Sequence, residues 1–453
     1  MKIKFLGAAG TVTGSKYLLT TNKKTYLVDC GLFQGLKDLR LRNWGAGHLD
    51  DQASSIEAIF LTHAHIDHSG YIPRLVAKGF NGPIYCSHGT YELAKILLPD
   101  SGHLQEEEAD YANRKGFSKH KPALPLYTQE EAEESLKNFR PVEFNKEITI
   151  GHDAQVTFSR AGHILGASCI LFKAQNRSII FSGDVGRYVD IIMKPPEPLP
   201  DADYLVVEST YGDRVHDKED VYEQIARIIN QVAKNKGAIV IPSFAVGRAQ
   251  HMLHIIYELK KAKKIPDIIT YLDSPMAINA TDLYCRFSRE HRLNDQACRE
   301  MCSAAIMTRT ADESKAINDT PGPKIIISAS GMASGGRVVH HLAQYIGDEK
   351  NTVILVGYQA AGTRGRSLRD GAAQLKMFGE FYDVRARIVE VPGLSAHADV
   401  EELIRWLKES KLKHPRVFVT HGESTAAQAF CQTLIKTFHW QVEVPQDGAE
   451  YDL

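Results

Sequence analysis

At 453 residues, with Lys+Arg at 54 against Asp+Glu at 55, the chain is longer than one typical core and suggests two domains; its balanced charge excludes a global basic field, so any attraction to nucleic acid must come from a local cleft. Its seven cysteines, Cys30, Cys86, Cys169, Cys285, Cys298, Cys302 and Cys431, form no CxxC pair, which, with no secretory leader, indicates a reducing compartment. No apolar run approaches the roughly 20 residues needed to span a bilayer, and no secretory leader precedes the first strand, so a soluble cytoplasmic protein without a membrane partner is expected.

The chain opens on strand-like Ile3 to Gly7 and a small-residue loop from Ala8 to Ser15, and a further apolar run, Tyr26-Leu27-Val28, ends at Asp29. Ile56 to Leu61 reads as a short, largely buried strand that stops at Thr62. Directly after it stand His63, His65, Asp67 and His68, three imidazoles and one carboxylate within six residues. Imidazole nitrogen and carboxylate oxygen suit a borderline divalent ion, and zinc is the usual choice. His63 and His65 alternate as strand residues do and can face one way, while Asp67 and His68 lie on the turn beyond, so two metals could be served. An isolated histidine here would read as a surface loop; this density reverses that reading.

One segment rarely completes a metal site. Later in the chain, His163 follows the strand-like Gln155 to Phe158, Asp184 follows Ser178 to Phe181, and His421 follows Arg416 to Thr420. Each alone could be a loop cap or turn residue. Together they place ligands at the C-terminal ends of several strands, on one edge of a layered α/β core. The acidic run Gln105 to Asp110 and the stretch Gln129 to Lys137 read as exposed helix surface. Amphipathic stretches from Asp220 to Lys234 and Ala249 to Lys264, set between apolar strands, extend the α/β layering through the rest of the chain.

With these residues in view, the chain resembles the metallo-β-lactamase superfamily, whose HxHxDH motif is matched by His63, His65, Asp67 and His68. The resemblance implies an αββα sandwich in which His63, His65 and His163 hold one zinc, Asp67, His68 and His421 hold a second, and Asp184 bridges them. It also implies that Asp29 supports the ligand histidines from behind. The segments Glu208 to Gly212, Ile241 to Gln250, Leu272 to Ala277 and Ser328 to Met332 are similar to the β-CASP nucleases, which carry an inserted α/β domain. Carried over on that resemblance, motif A is Glu208, motif B is His397 in Leu394 to Asp399, and motif C is His421. A histidine at motif C goes with the RNA-directed members. The expected organisation is a first part of the metallo-β-lactamase domain over 1–200, a β-CASP domain over 201–384, and a return to the first domain over 385–453.

The resemblance therefore implies a hydrolase with two Zn2+ ions that cuts the phosphodiester bonds of single-stranded RNA, mainly within the chain, with 5′ to 3′ exonuclease activity as a second mode. Two zinc ions would polarise the phosphate and activate water. Asp67, Asp184, Glu208 and His397 are the expected catalytic residues, His397 as general acid oriented by Glu208. Arg248 and Ser330 are expected to grip backbone phosphates, with Arg337 and Arg366 as similar candidates and an ordinary salt bridge as the alternative role. A homodimer is among the expected assemblies. Two other readings stay open: a thioester or lactone hydrolase built on the same metals, and a non-catalytic RNA-binding subunit. The inserted domain argues against the first, the intact ligand set against the second.

Overall fold

A computed structural model describes residues 1–453 except 23, 45–47, 117–119, 152, 153 and 218, and it divides the chain into two compact units, 1–215 with 397–453, and 216–396. The first unit carries two seven-stranded sheets. One runs, in spatial order, Glu450–Asp452, Lys2–Phe5, Tyr17–Thr20, Thr25–Val28, Ile56–Phe60, Ile84–Ser87 and Phe139–Val142; the other runs Gln441–Glu443, Arg416–Thr420, Tyr204–Glu208, Arg177–Phe181, Ser168–Ala174, Ala154–Arg160 and Ile148–Ile150.

The period-2 alternation of side chains sorts each strand between two cores. In Thr25–Val28, Tyr26 and Val28 join the cluster that also takes residues of the second sheet, while Leu27 turns to the opposite face; in Ile56–Phe60, Ala58 and Phe60 face the first cluster and Ile59 the other, and Ile56 joins Ile59 out of alternation because the register shifts between Ile56 and Ala58. The shared cluster is aromatic: Tyr26 and Phe60 lie 5.3 and 5.8 Å from Phe172, and Phe5 lies 5.2 Å from Phe418, between ring centroids. Such offset and tilted pairs add to the burial of large rings. The outer face of the first sheet is covered by Ile72–Ala77, His88–Lys115 and Gln129–Ser135, through Ile72, Leu75, Ala94, Leu98 and Ala132. The acidic run lies on the second of these helices and the Gln129 stretch forms the third, closed by a capping box at Thr128. With helices Val400–Glu409 and Ser424–Phe438 following in the same unit, this is the metallo-β-lactamase αββα sandwich.

Parallel pairing sets where the site falls. Arg177–Phe181, Tyr204–Glu208 and Arg416–Thr420 run parallel in one sheet, in register Ile179 to Tyr204 and Glu208 to Thr420. Their C-terminal ends therefore lie along one edge, and the chain leaves those ends at Asp184, Glu208 and His421. The pairing of Tyr204–Glu208 also keeps the chain in the first unit until Val215, beyond the expected change near Pro200.

The second unit, 216–396, is built on a six-stranded, all-parallel sheet in the order Ile306–Met307, Ile269–Leu272, Lys324–Ser328, Ala238–Pro242, Thr352–Leu355 and Arg387–Glu390. Every residue of Ala238–Pro242 and Lys324–Ser328 is buried, as expected for parallel strands covered on both faces. Helices Val221–Lys234, Arg248–Lys261, Pro275–Arg286, Asp295–Ser303 and Arg337–Tyr345 alternate with these strands. The last strand, Arg387–Glu390, pairs with Thr352–Leu355, so this unit extends past residue 384 to Ala396.

Candidate active site

The segment after Ile56–Phe60 does more than turn: Ile66–Ser69 forms one helical turn that carries Asp67 and His68. It is drawn against the backbone of Cys30 and Gly31, because the Cys30 N–H donates to the His68 carbonyl at 2.7 Å and the Ser15 N–H to the Asp67 carbonyl at 2.9 Å. A Cβ at Gly31 would stand 1.6 Å from the Asp67 oxygen, so no larger residue allows this approach.

Two site residues hold left-handed backbone despite their side chains, Asp29 with φ 56° and His421 with φ 48°. Such conformations persist where the surroundings over-determine them. Asp29 donates its N–H to Phe60, and its carboxylate accepts from the Thr62 N–H at 2.8 Å, from Thr62 Oγ1 at 2.9 Å, and from His68 Nδ1 at 2.8 Å. His421 donates its N–H to the Ala8 carbonyl at 2.7 Å. The tie from Asp29 to Nδ1 turns His68 Nε2 inward.

Two donor groups result. Nδ1 of His65 lies 3.2 Å from Nε2 of both His63 and His163, and Oδ2 of Asp184 lies 3.4 and 3.5 Å from those two Nε2 atoms. Nε2 of His68 lies 3.1 Å from Nε2 of His421, which is 3.4 Å from Oδ2 of Asp67. The other oxygen of Asp184, Oδ1, faces this second group at 3.3 Å from Nε2 of His68 and 3.4 Å from Nδ1 of His421. Asp184 thus gives one oxygen to each set.

This arrangement fits metal. Four donors around a tetrahedral zinc at ~2.0–2.1 Å must stand roughly 3.3–3.5 Å apart, close to the spacing in the first group. Asp184 Oδ1 is buried without a hydrogen bond, and a buried acceptor left in that state is costly. Burial pushes the charged forms of His63, His65 and His163 down, His65 to about 3, which keeps their lone pairs available. His68 goes the other way: burial opposes its charge, but Asp184 and Asp29 outweigh that and raise it. Burial would raise the carboxyls of Asp67 and Asp184, yet the facing imidazoles, His421 foremost, hold both below the usual carboxylate range.

Glu208 and His397 stand beside these groups. Glu208 is 1% exposed, and its carboxylate accepts from the Val185 N–H at 2.6 Å, the Thr210 N–H at 3.3 Å and His397 Nδ1 at 3.1 Å. His397 is located by a bridge to Gly186 and by the Ala398 N–H donating to Val185 at 2.8 Å. Its Nε2 lies 4.0 Å from Asp184 Oδ2, and its ring centroid 4.4 Å from that of His163. Burial disfavours its charged form, but Glu208 and then Asp184 overcome that and raise its pKa.

The structure therefore brings His63, His65, Asp67, His68, His163, Asp184, Glu208, His397, His421 and Asp29 into one constellation within the first unit. Sequence reasoning missed two hydroxyls there. Thr62 Oγ1 sits 3.1 Å from His63 Nδ1 as well as on Asp29, and Thr210 Oγ1 sits 3.1 Å from His421 Nδ1. The place of Thr62 between a strand and the histidines was a usable signal; Thr210 offered none. Arg248, Ser330, Arg337 and Arg366 belong to the second unit. Arg248 is 3% exposed and donates from Nη1 to the Leu394 carbonyl; Arg337 donates to Asp273 at 2.7 Å and Arg366 to Asp370 at 2.8 Å. Ser330 Oγ accepts from the Ser334 N–H at 3.4 Å.

Fold and site define a metal-dependent hydrolase. The family model of the metallo-β-lactamase superfamily matches residues 9–222, that of the Beta-Casp domain residues 249–368, and that of the Zn-dependent metallo-hydrolase RNA specificity domain residues 382–445. A ribonuclease of Thermus thermophilus is 33% identical over 431 residues, covering 93% of each chain, and an RNase J-like protein of Methanocaldococcus jannaschii is 31% identical over 98% of each. The transcription termination factor FttA of the latter organism is 27% identical over 99% of this chain and 71% of its own length. A solved structure of a protein of unknown function from Enterococcus faecalis shares the fold, with a TM-score of 0.54 at 15% identity over 100% of this chain and 99% of that one. The chain belongs to the β-CASP RNA nuclease family of the metallo-β-lactamase superfamily. Among the described residues no helix is long and apolar enough to cross a membrane.

Proposed function

We propose that this chain is a two-zinc ribonuclease that hydrolyses phosphodiester bonds of single-stranded RNA, mainly as an endonuclease. The observation that carries this reading is the Glu208–His397 pair standing 4.0 Å from Asp184, the carboxylate that faces both donor groups. Metals bound by His63, His65, His163 and Asp184, and by Asp67, His68, His421 and Asp184, supply Lewis acidity toward a phosphate oxygen and toward water.

The protein's own contribution is positional. Asp29 and Thr210 hold Nδ1 of His68 and of His421, which commits the opposite nitrogens to the donor groups. Glu208 accepts from Nδ1 of His397 and so fixes the tautomer and ring plane, with Nε2 turned toward Asp184. From that atom His397 gives a proton to the oxygen that leaves phosphorus; the bond from phosphorus to that oxygen breaks as the proton arrives. Ser330 is the proposed contact for a backbone phosphate. Arg248 takes that part only by exchanging its bond to the Leu394 carbonyl for a phosphate oxygen.

The test is cleavage of a closed circular single-stranded RNA by the zinc-loaded protein, beside its Asp184→Ala variant. A circle offers no end, so linearisation by the wild type alone supports the endonuclease. Shortening of a linear RNA beside an intact circle restricts the activity to exonuclease. No change in either RNA overturns the ribonuclease reading in favour of a small-molecule hydrolase.

A further inference from the structure

The second unit carries a thiol cluster that the proposed hydrolysis does not use. Cys285 lies in the last turn of Pro275–Arg286, and Cys298 and Cys302 lie one turn apart on Asp295–Ser303. The Sγ atoms of Cys285 and Cys302 are 3.6 Å apart. Of the chain's cysteines, Cys30, Cys86, Cys169, Cys298 and Cys431 are buried, and only Cys285 and Cys302 are partly exposed. The two thiols that a solute can reach are therefore the two that touch each other.

The loop between the helices is fixed. His291 is 2% exposed, its Nε2 donates to the Tyr284 carbonyl at 2.8 Å, and its Nδ1 accepts from the Leu293 N–H at 3.2 Å. This pins the chain between the last turn of one helix and the start of the next, and with it the approach of the two sulfurs. The cluster also separates the thiols chemically. Hydrogen bonds from Cys298 and Cys302, with a smaller pull from the Arg299 guanidinium, outweigh burial and favour the thiolate of Cys285, whereas its own bond to Cys285 followed by burial holds Cys302 as the thiol. The thiolate is the nucleophile in such chemistry.

We propose that Cys285 and Cys302 form a reversible disulfide when a hydroperoxide reaches the protein, making this pair a redox modification site. The Cys285 thiolate attacks the terminal peroxide oxygen; an S–O bond forms, the O–O bond breaks, and the departing oxygen takes a proton from solvent, where the thiol had released its own, to leave as water with hydrogen peroxide or as an alcohol with an organic peroxide. The Cys302 sulfur then attacks the sulfenic sulfur of Cys285; the S–S bond forms, the S–O bond breaks, and the hydroxyl takes the Cys302 proton to leave as water. Two electrons pass from the thiol pair to the peroxide, and a dithiol reductant reverses the change. The buried thiols stay reduced because no peroxide reaches them.

The experiment treats the full-length, zinc-loaded protein with hydrogen peroxide at neutral pH, alkylates the remaining thiols, and digests with trypsin without reduction. Arg286 and Arg299 place Cys285, Cys298 and Cys302 on three different tryptic peptides, so the linkage is read directly. The expected product joins the peptide ending at Arg286 to the peptide Glu300–Arg309, lighter by two hydrogens than their sum, with the free-thiol count lowered by two from seven and restored by dithiothreitol. In Cys302→Ser the reaction stops at a sulfenic acid on Cys285, which a dimedone-type probe traps. A linkage through Cys298, accumulation of sulfinic acid without a cross-link, or equal reaction of all the cysteines would overturn the assignment. The wild-type peptide map decides these outcomes without relying on the fold of any variant.

Discussion

Asp184 and Asp273 invite comparison because both are buried carboxylates that follow a strand of a central sheet with histidine close by, at 2% and 0% exposure. Asp273 is saturated with donors: Arg337 Nη1 at 2.7 Å on one oxygen, His341 Nε2 at 2.6 Å and Ser314 Oγ at 2.5 Å on the other. Asp184 meets imidazole nitrogens only at 3.3 to 3.5 Å, and its Oδ1 has no hydrogen bond. A carboxylate whose partners donate protons is a structural joint. One ringed by imidazole nitrogens at ligand spacing, with an oxygen that no donor reaches, is half of a site that a cation completes. The ratio of donors to acceptors, rather than the presence of histidine and aspartate, separates the two.

The sharpest way to break this contrast is to remove each carboxylate. Asp184→Ala should lose both zinc and cleavage, since this residue serves both donor groups; atomic emission and the circular-RNA assay read the two losses. A chelator should lower the melting temperature of the wild type and leave that of Asp184→Ala unchanged, because only the former has bound metal to lose. Full zinc content with normal turnover in the variant would end the bridging assignment.

Asp273→Ala should do the opposite: zinc content stays and stability falls by about 3–5 kcal/mol, the scale for breaking a buried ion pair and leaving Arg337 without its carboxylate. The acid side gives a second reading. Burial would raise the Asp273 carboxyl, but the bonds from His341, Ser314 and Arg337 outweigh it and hold it below the usual range. In the window between its folded pKa and the ordinary value of about 3.9, the unfolded chain binds more protons than the folded one. The stabilisation is therefore complete above about pH 3.9 and is lost as pH falls through the folded pKa. Urea denaturation should show a shallower acid loss in Asp273→Asn, and an unchanged slope would mean that the network does not titrate as argued.

A smaller effect separates metal holding from proton transfer inside the first unit. His397→Ala should keep zinc but slow cleavage by roughly a hundredfold or more, measured as single-turnover rate beside metal content. An unchanged rate would remove His397 from the mechanism.

What was legible in the sequence follows the same physics. Ligand-type side chains are conspicuous at strand ends, so the candidate donors His63, His65, Asp67 and His68 announced themselves, and His163, Asp184 and His421, which the fold brings beside them, could be found by asking which later strands end alike. The motif resemblance added Glu208 and His397, which pair across 189 positions of sequence. Arginine is different, because its role depends on a partner distant in sequence. Arg337 finds Asp273, and Arg248 finds the carbonyl of Leu394, neither visible from local spacing. The unit boundaries were hidden for a similar reason: the strands Tyr204–Glu208 and Arg387–Glu390 are assigned to their units by pairing with remote strands. Thr62 and Thr210 were missed because a hydroxyl becomes informative only once the ring it touches is in place.

The finest test replaces Glu208 with glutamine, which keeps shape and removes charge. One carboxylate oxygen accepts from the Val185 N–H at 2.6 Å, the other from the Thr210 N–H at 3.3 Å, and His397 Nδ1 reaches both at 3.1 to 3.2 Å. The short bond to Val185 fixes the glutamine carbonyl there, which turns the amide nitrogen toward Thr210. His397 Nδ1–H then keeps an acceptor on one side but loses the charge that favours imidazolium, and a fixed N–H now faces the Thr210 N–H. Glu208→Gln should therefore fold, hold zinc and cleave more slowly than wild type, with a defect smaller than that of His397→Ala. In His397→Ala, adding the glutamine should cost little more, because the two residues act as one unit. Wild-type turnover in Glu208→Gln, or additive losses in the double variant, would leave His397 without the partner that the geometry gives it.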